Sequence, residues 1–295
     1  MHSTEHTMLA SPLISAHQLR AAQADGSALL ILDCSFDLSD PESGRRAFLT
    51  EHVAGAVHAD VGRELSAEHG VGVSGGRHPL PQREAFARWL AQRGLGADTL
   101  AVVYDRNRLN FAGRLWWMLR WAGHDKVAVL DGGLQAWKAA GGATETGEPA
   151  TSAAGDFVLR APLVKLVDAD HVHQSLGTDR QTLIDARAPE RYRGEVEPLD
   201  AVAGHIPGAL NRPFAANLQD DGRFKSPELL RAEFEALLGT PDGQPEVIHY
   251  CGSGVSATPN VLAMEIAGLP AASLYAGSWS DWSRREDYPK AQSAR

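Results

Sequence analysis

The chain has 295 residues, 43% apolar and 22% charged, an ordinary soluble composition long enough for two cores of about 100–200 residues each. A formal net charge of -9 and the lack of any Lys/Arg-rich run exclude a nucleic-acid partner, since a phosphate backbone needs a basic footprint. The start, Met1-His2-Ser3-Thr4-Glu5-His6-Thr7, has neither the basic opening nor the apolar run of a secretory signal, and no stretch approaches the roughly 18 apolar residues of a bilayer span; a cytoplasmic protein with no membrane partner is expected.

Apolar, β-rich runs at residues 28–32, 100–104, 127–130, 182–184, 246–250 and 272–275 alternate with segments of helical period. That alternation predicts an α/β fold in which each domain has a mostly parallel sheet with helices on its faces. The second half restates the first. Leu32-Asp33 is echoed by Ile184-Asp185, and His52-Val53-Ala54-Gly55-Ala56-Val57 by His205-Ile206-Pro207-Gly208-Ala209-Leu210. Val102-Val103-Tyr104-Asp105 parallels Ile248-His249-Tyr250-Cys251, and Leu130-Asp131-Gly132-Gly133 leads to Trp137 much as Tyr275-Ala276-Gly277-Ser278 leads to Trp282. Two copies at so long a period describe a duplicated domain, whereas a solenoid needs several short repeats. The small-residue stretch 141–155 reads as the linker, which divides the chain into domains 11–145 and 156–290.

The only cysteines are Cys34 and Cys251, too few for a disulfide framework, and no Cys/His cluster has zinc spacing. Neither a metal nor another cofactor is expected. Cys251 follows a buried strand and opens the loop Cys251-Gly252-Ser253-Gly254-Val255-Ser256, ahead of a helix predicted over 258–267 with Pro259 in its first turn. Open α/β sheets place their sites at such strand ends. Small residues let the loop curl so that successive N–H groups point inward, and the helix dipole adds positive character at the same focus. Both effects favour the thiolate, the nucleophilic form of cysteine, and the same cradle would hold an anionic sulfur added to Cys251. Cys34 lacks a glycine loop and reads as a structural thiol. In the first half Asp105 takes the place of Cys251 and is followed by Arg106-Asn107-Arg108-Leu109, so only the second half is armed.

Taken together, these motifs resemble the tandem-domain rhodanese family of thiosulfate and 3-mercaptopyruvate sulfurtransferases over roughly residues 11–287. Gly204-His205-Ile206-Pro207-Gly208-Ala209 is similar to the family's first signature, and Tyr275-Ala276-Gly277-Ser278-Trp279-Ser280-Asp281-Trp282 to its C-terminal one. The resemblance implies two rhodanese-like domains and an inactive first half. It also implies that Cys251 takes sulfane sulfur as a persulfide and passes it to cyanide, a thiol or a thioredoxin-like protein, with no cofactor. Gly252, Ser253, Gly254, Val255 and Ser256 would bind the donor. The Cys-Gly-Ser-Gly-Val loop is similar to that of the mercaptopyruvate enzymes, whereas thiosulfate enzymes carry basic residues just after the cysteine. The family comparison further implies that Arg191 grips the donor's carboxylate and that Ser253 and His78 belong to an acid–base relay.

At two positions the sequence departs from this pattern. Leu199 stands where a second clamping arginine is expected, leaving Arg193 or a residue of the other half to replace it. Gly62 stands where the relay aspartate is expected, with Asp60 nearby. Arg187 reads as an ion-pair partner of Asp185, Trp116, Trp117 and Trp121 as core residues at helical spacing, and Trp279 and Trp282 as packing. A cysteine-loop phosphatase is the enzymatic rival, but it needs an arginine where this chain has Ala257. A non-catalytic binding or regulatory rhodanese-like protein is the other.

Overall fold

The computed structural model describes residues 11–150, 153–239 and 245–293. In the first half β1 (Leu13–Ile14), α1 (Ala16–Ala24), β2 (Leu29–Asp33), α2 (Ser43–Thr50), β3 (His52–Val53) and β4 (Ala56–His58) are followed by α3 (Arg83–Gln92), β5 (Leu100–Tyr104), α4 (Asn110–Trp121), β6 (Val127–Leu130), α5 (Gly133–Ala139) and β7 (Thr144–Glu145). The second half has β8 (Lys165–Val167), α6 (Ala169–Gln174), β9 (Gln181–Asp185), α7 (Pro189–Arg193) and β10 (Leu210–Asn211). It continues with α8 (Pro227–Leu238), β11 (Glu246–Tyr250), α9 (Thr258–Ile266), β12 (Ser273–Tyr275) and α10 (Ser278–Trp282). Among the described residues no helix is long and apolar enough to cross a membrane.

Each half holds one five-stranded sheet, all parallel, in the order β1-β6-β5-β2-β4 in the first and β8-β12-β11-β9-β10 in the second. Exchanging each strand for its counterpart turns one order into the other, so the sequence echo is a topological duplication. Helices cover both faces, which is why the central strands read as unbroken apolar runs. Leu30 and Leu32 of β2 and Ala101 and Val103 of β5 face one side, while Ile31, Val102 and Tyr104 face the other.

The longer predicted strands are present within a residue or two at either end. Not foreseen were the edge strands β1, β4, β8 and β10 and the antiparallel β3–β7 pair, each too short to show a period. The stretch 141–155 differs from a free linker. Thr144–Glu145 pairs with His52–Val53, the Trp137 indole donates to the Ala143 carbonyl at 2.8 Å, and the Gly155 N–H donates to the Ala91 carbonyl at 2.8 Å. Residues 151–152 lie outside the described part.

The halves meet along α4 and α9. Helix α4 is buried nearly all round because its own sheet covers one side and the second domain the other; Trp116 and Trp117 are wholly buried in a cluster that also contains Val261, Leu262 and Met264. Gly113 makes this approach possible, since a Cβ there would stand 3.0 Å from the backbone nitrogen and Cδ of Pro259. Gly113→Val is therefore expected to destabilise the folded chain by about 1–3 kcal/mol through overpacking, read as a lower thermal midpoint; an unchanged midpoint would show that the helices can part at no cost.

Candidate active site

Strand β11 delivers Cys251 to its carboxyl end, buried at 2% exposure. The start of α10 holds the turn: the Cys251 N–H donates to Ser278 Oγ at 3.1 Å, and the Cys251 and Gly252 carbonyls accept from the N–H groups of Trp279 and Ser280 at 2.9 Å each. Gly254 lies at φ +75°, with the Ala276 carbonyl oxygen 2.3 Å from where a Cβ would be, so only glycine fits. Thr258 closes the loop, its hydroxyl donating to the Val255 carbonyl at 2.7 Å. Ser253 and Val255 are buried, and Ser256 is partly exposed at the rim. Among the described residues, the N–H groups of Ser253, Val255 and Ala257 have no protein acceptor.

The duplicated loop shows what such N–H groups bind. Asp105 Oδ1 accepts from the N–H groups of Asn107 (2.7 Å) and Leu109 (2.8 Å), and Oδ2 from those of Phe111 (2.8 Å) and Ala112 (2.9 Å). Burial raises the Asp105 pKa, and these four donors pull it the other way. Arg108, the counterpart of Gly254, and Leu109 are held in the left-handed region at φ 59° and 61°, a strained conformation that persists only when its surroundings enforce it. Asn107, Leu109 and Phe111 correspond to Ser253, Val255 and Ala257. A carboxylate oxygen is as many bonds from its Cβ as the outer sulfur of a cysteine persulfide, so the first half carries an anion of matching reach inside the same loop.

Three side chains of the first domain enter the second domain's loop. His78 Nδ1 lies 2.8 Å from Ser253 Oγ, bringing together the two relay residues expected from sequence. Burial, with Arg114 and Arg77 nearby, pushes the His78 pKa down to about 3, so the imidazole is neutral. Arg114, wholly buried on α4, donates to the carbonyls of Leu65 (2.8 and 3.1 Å), His78 (2.9 Å) and Gly254 (3.1 Å), and no carboxylate pairs with it among the described residues. Burial lowers its pKa to about 10, with the nearby Cys251 sulfur acting in the opposite direction. Asp60 is elsewhere: its carboxylate accepts from the Gly62 N–H at 2.7 Å and lines a separate cavity with Arg45, His58 and Arg63. No acidic side chain hydrogen-bonds His78 among the described residues.

The third entrant is Arg77. Its guanidinium pairs with Asp200, while Arg191 pairs with Glu197 at 2.7 Å and approaches the other Asp200 oxygen at 3.7 Å. Arg77 Nη2 and Arg191 Nη1 come within 3.0 and 3.4 Å of the point where a Gly252 Cβ would stand. Arg193 instead pairs with Glu195 at 3.0 Å, and Leu199 is 45% exposed. Arg187 is an ion-pair partner: burial alone would lower its pKa, but Asp185 and Glu197 raise it, and it lies over the Trp279 ring. Sequence reasoning missed Arg77 and Arg114. For Arg77 the signal was its place beside His78; for Arg114 it was a lone charge in a helix otherwise apolar on that face. Among the described residues no group of three or more His, Cys, Asp or Glu side chains is placed to hold a metal ion.

Comparison with known proteins agrees with this geometry. The family model described as the rhodanese-like domain matches residues 15–140 and again 168–285. A protein of Pseudomonas aeruginosa named probable 3-mercaptopyruvate sulfurtransferase is 48% identical over 278 residues, 93% of this chain and 96% of its own length. Thiosulfate sulfurtransferase of Bos taurus is 35% identical over 292 residues, 97% of this chain and 95% of its own. Among solved structures, SseA from Escherichia coli, described with the fold and mechanism of 3-mercaptopyruvate sulfotransferases, superposes with a TM-score of 0.78 at 32% identity, covering 92% of this chain and 99% of its own.

Because the folded-state pKa of His78 lies below the 6.5 of an unperturbed imidazole, the unfolded chain takes up this proton first as pH falls. Stability tied to His78 is thus full above about pH 6.5 and declines toward pH 3. Urea midpoints of the wild type should drop between about pH 7 and pH 4.5, and those of His78→Gln should drop less; parallel curves would contradict the neutral buried imidazole.

Proposed function

This chain belongs to the rhodanese family, and on that premise we propose that it is a sulfurtransferase carrying sulfane sulfur from 3-mercaptopyruvate or thiosulfate, through a persulfide on Cys251, to a thiophilic acceptor. The observation that carries this reading is the Asp105 carboxylate bound by four N–H groups in the duplicate loop: a fold that cradles an anion there in one half suits an anionic persulfide in the other. The names of the relatives support the same chemistry. In this reading 11–145 is an inactive domain, with Asp105 in place of the cysteine, and 156–290 is the catalytic one. The acceptor is cyanide, a small thiol or a thioredoxin-like protein, and the compartment is the cytoplasm.

The thiolate of Cys251 attacks the sulfur of the donor. With mercaptopyruvate, the new S–S bond forms as the C–S bond breaks, and the electron pair of that bond moves to carbon as the enolate of pyruvate. The thiol proton of the donor ends on that carbon. In this reading Ser253 passes it, and neutral His78 holds the Ser253 hydroxyl by its Nδ1, a role that their 2.8 Å separation supports. With thiosulfate, sulfite leaves with the electron pair of the S–S bond and no proton moves. The loop N–H groups stabilise the persulfide in both cases. Attack of the acceptor on the outer sulfur then returns the Cys251 thiolate. Gly252 and Ser253 put no positive charge on the loop itself, which suits the less charged donor.

Mass spectrometry of the purified protein after treatment with either donor should show one added sulfur atom, absent from Cys251→Ser and removed by cyanide. No adduct with both donors would make this a binding protein, and hydrolysis of a phosphate ester that depends on Cys251 would make it a phosphatase. Since only mercaptopyruvate needs the proton, Ser253→Ala should lower its kcat by about 10²-fold or more and affect thiosulfate far less. Equal losses with the two donors would remove Ser253 from proton transfer.

A further inference from the structure

We infer that Arg77, from the otherwise inactive first domain, is a donor-binding residue that completes with Arg191 a two-arginine clamp for the carboxylate of a 2-oxo-3-thiol acid. This rests on the sulfur-transfer function proposed above and names the group that recognises the donor. The catalytic domain alone supplies one such arginine: Leu199 is apolar, and Arg193 is engaged with Glu195 in a surface pair.

Arg77 is fixed by the loop it faces. Its N–H donates to Ser280 Oγ at 3.0 Å, and the Ser280 N–H donates to the Gly252 carbonyl at 2.9 Å. At the other end of the side chain, Asp200 is only 3% exposed and engages Arg77 through one oxygen while its second lies 3.7 Å from Arg191. One buried carboxylate thereby sets the spacing of two guanidinium groups. The ends turned away from it, Arg77 Nη2 and Arg191 Nη1, converge on the space beside Gly252, within 3.0 and 3.4 Å of one point. Neither of these two nitrogens donates to a protein group among the described residues. Two guanidinium ends held side by side, next to the residue that follows the nucleophile, match the two oxygens of a planar carboxylate. The absence of a side chain at Gly252 is what lets both guanidinium ends come this close to the loop that carries Cys251.

The test compares 3-mercaptopyruvate with its uncharged amide. In the wild-type protein the acid should be preferred in kcat/KM; in Arg77→Gln the acid-to-amide ratio should fall about 10- to 100-fold, the worth of a charge-assisted contact, mainly through KM. Arg77→Lys keeps a cation for Asp200 but loses the fork, and should give an intermediate ratio. A purely structural role for Arg77 would lower both donors together and leave the ratio unchanged, which would overturn the inference. Leu199→Arg provides a check that does not disturb the Asp200 pair: with the clamp already complete it should change the acid's kcat/KM by less than about threefold, whereas a gain of tenfold or more would show that the second arginine was missing. A wild-type protein inert toward the acid and toward thiosulfate would instead refute the sulfurtransferase reading itself.

Discussion

Backbone N–H groups curled around the end of a central strand need an acceptor, and when they are buried the cost of leaving each unmet is about 1–3 kcal/mol. Both halves of this protein build such a curl at the same topological position. The first satisfies it permanently with the side chain of Asp105, which takes four of the donors. In the second, Cys251 occupies the position, and its shorter thiol leaves three of the corresponding donors without a protein acceptor. One half thus carries its anion in the covalent structure, while the other, under the function proposed above, receives it as a reaction product.

The two loops are also unequal in how they are braced. Around Cys251, Thr258 closes the loop locally and the other supports come from elsewhere in the chain: Ser278 and Ser280 from α10, and His78, Arg77 and Arg114 from the first domain. The first domain therefore supplies part of the wall of the candidate site. Its helix α4 contributes an unpaired buried cation behind the loop, a costly arrangement unless several oxygens surround it; here the carbonyls of Leu65, His78 and Gly254 do so.

What the sequence made legible follows from the range of the interactions involved. Central strands covered on both faces are long enough to announce themselves, and the loop at Cys251 is local chemistry written in consecutive residues, so both could be read directly. Edge strands of two or three residues carry too few side chains to show a period. His78 and Ser253 were paired through likeness to a family, and their 2.8 Å contact spans 175 positions in the chain. Arg77 and Arg191 were separable only in three dimensions: nothing in the local pattern says that an arginine beside a Gly-Gly turn in one domain will meet Asp200 in the other. The missing arginine at Leu199 and the missing carboxylate at Gly62 differ in this respect. The first absence coincides with a cation supplied across the domain boundary, while the second has no counterpart near His78 among the described residues.

The Arg114 guanidinium ties the two domains together across their seam. Pulling the halves apart would take the Gly254 carbonyl from a wholly buried charge and uncover the apolar seam where Gly113 rides on Pro259. The charge that closes the seam is also the one that holds a carbonyl of the Cys251 loop, so that loosening the contact between the halves would loosen the loop with it.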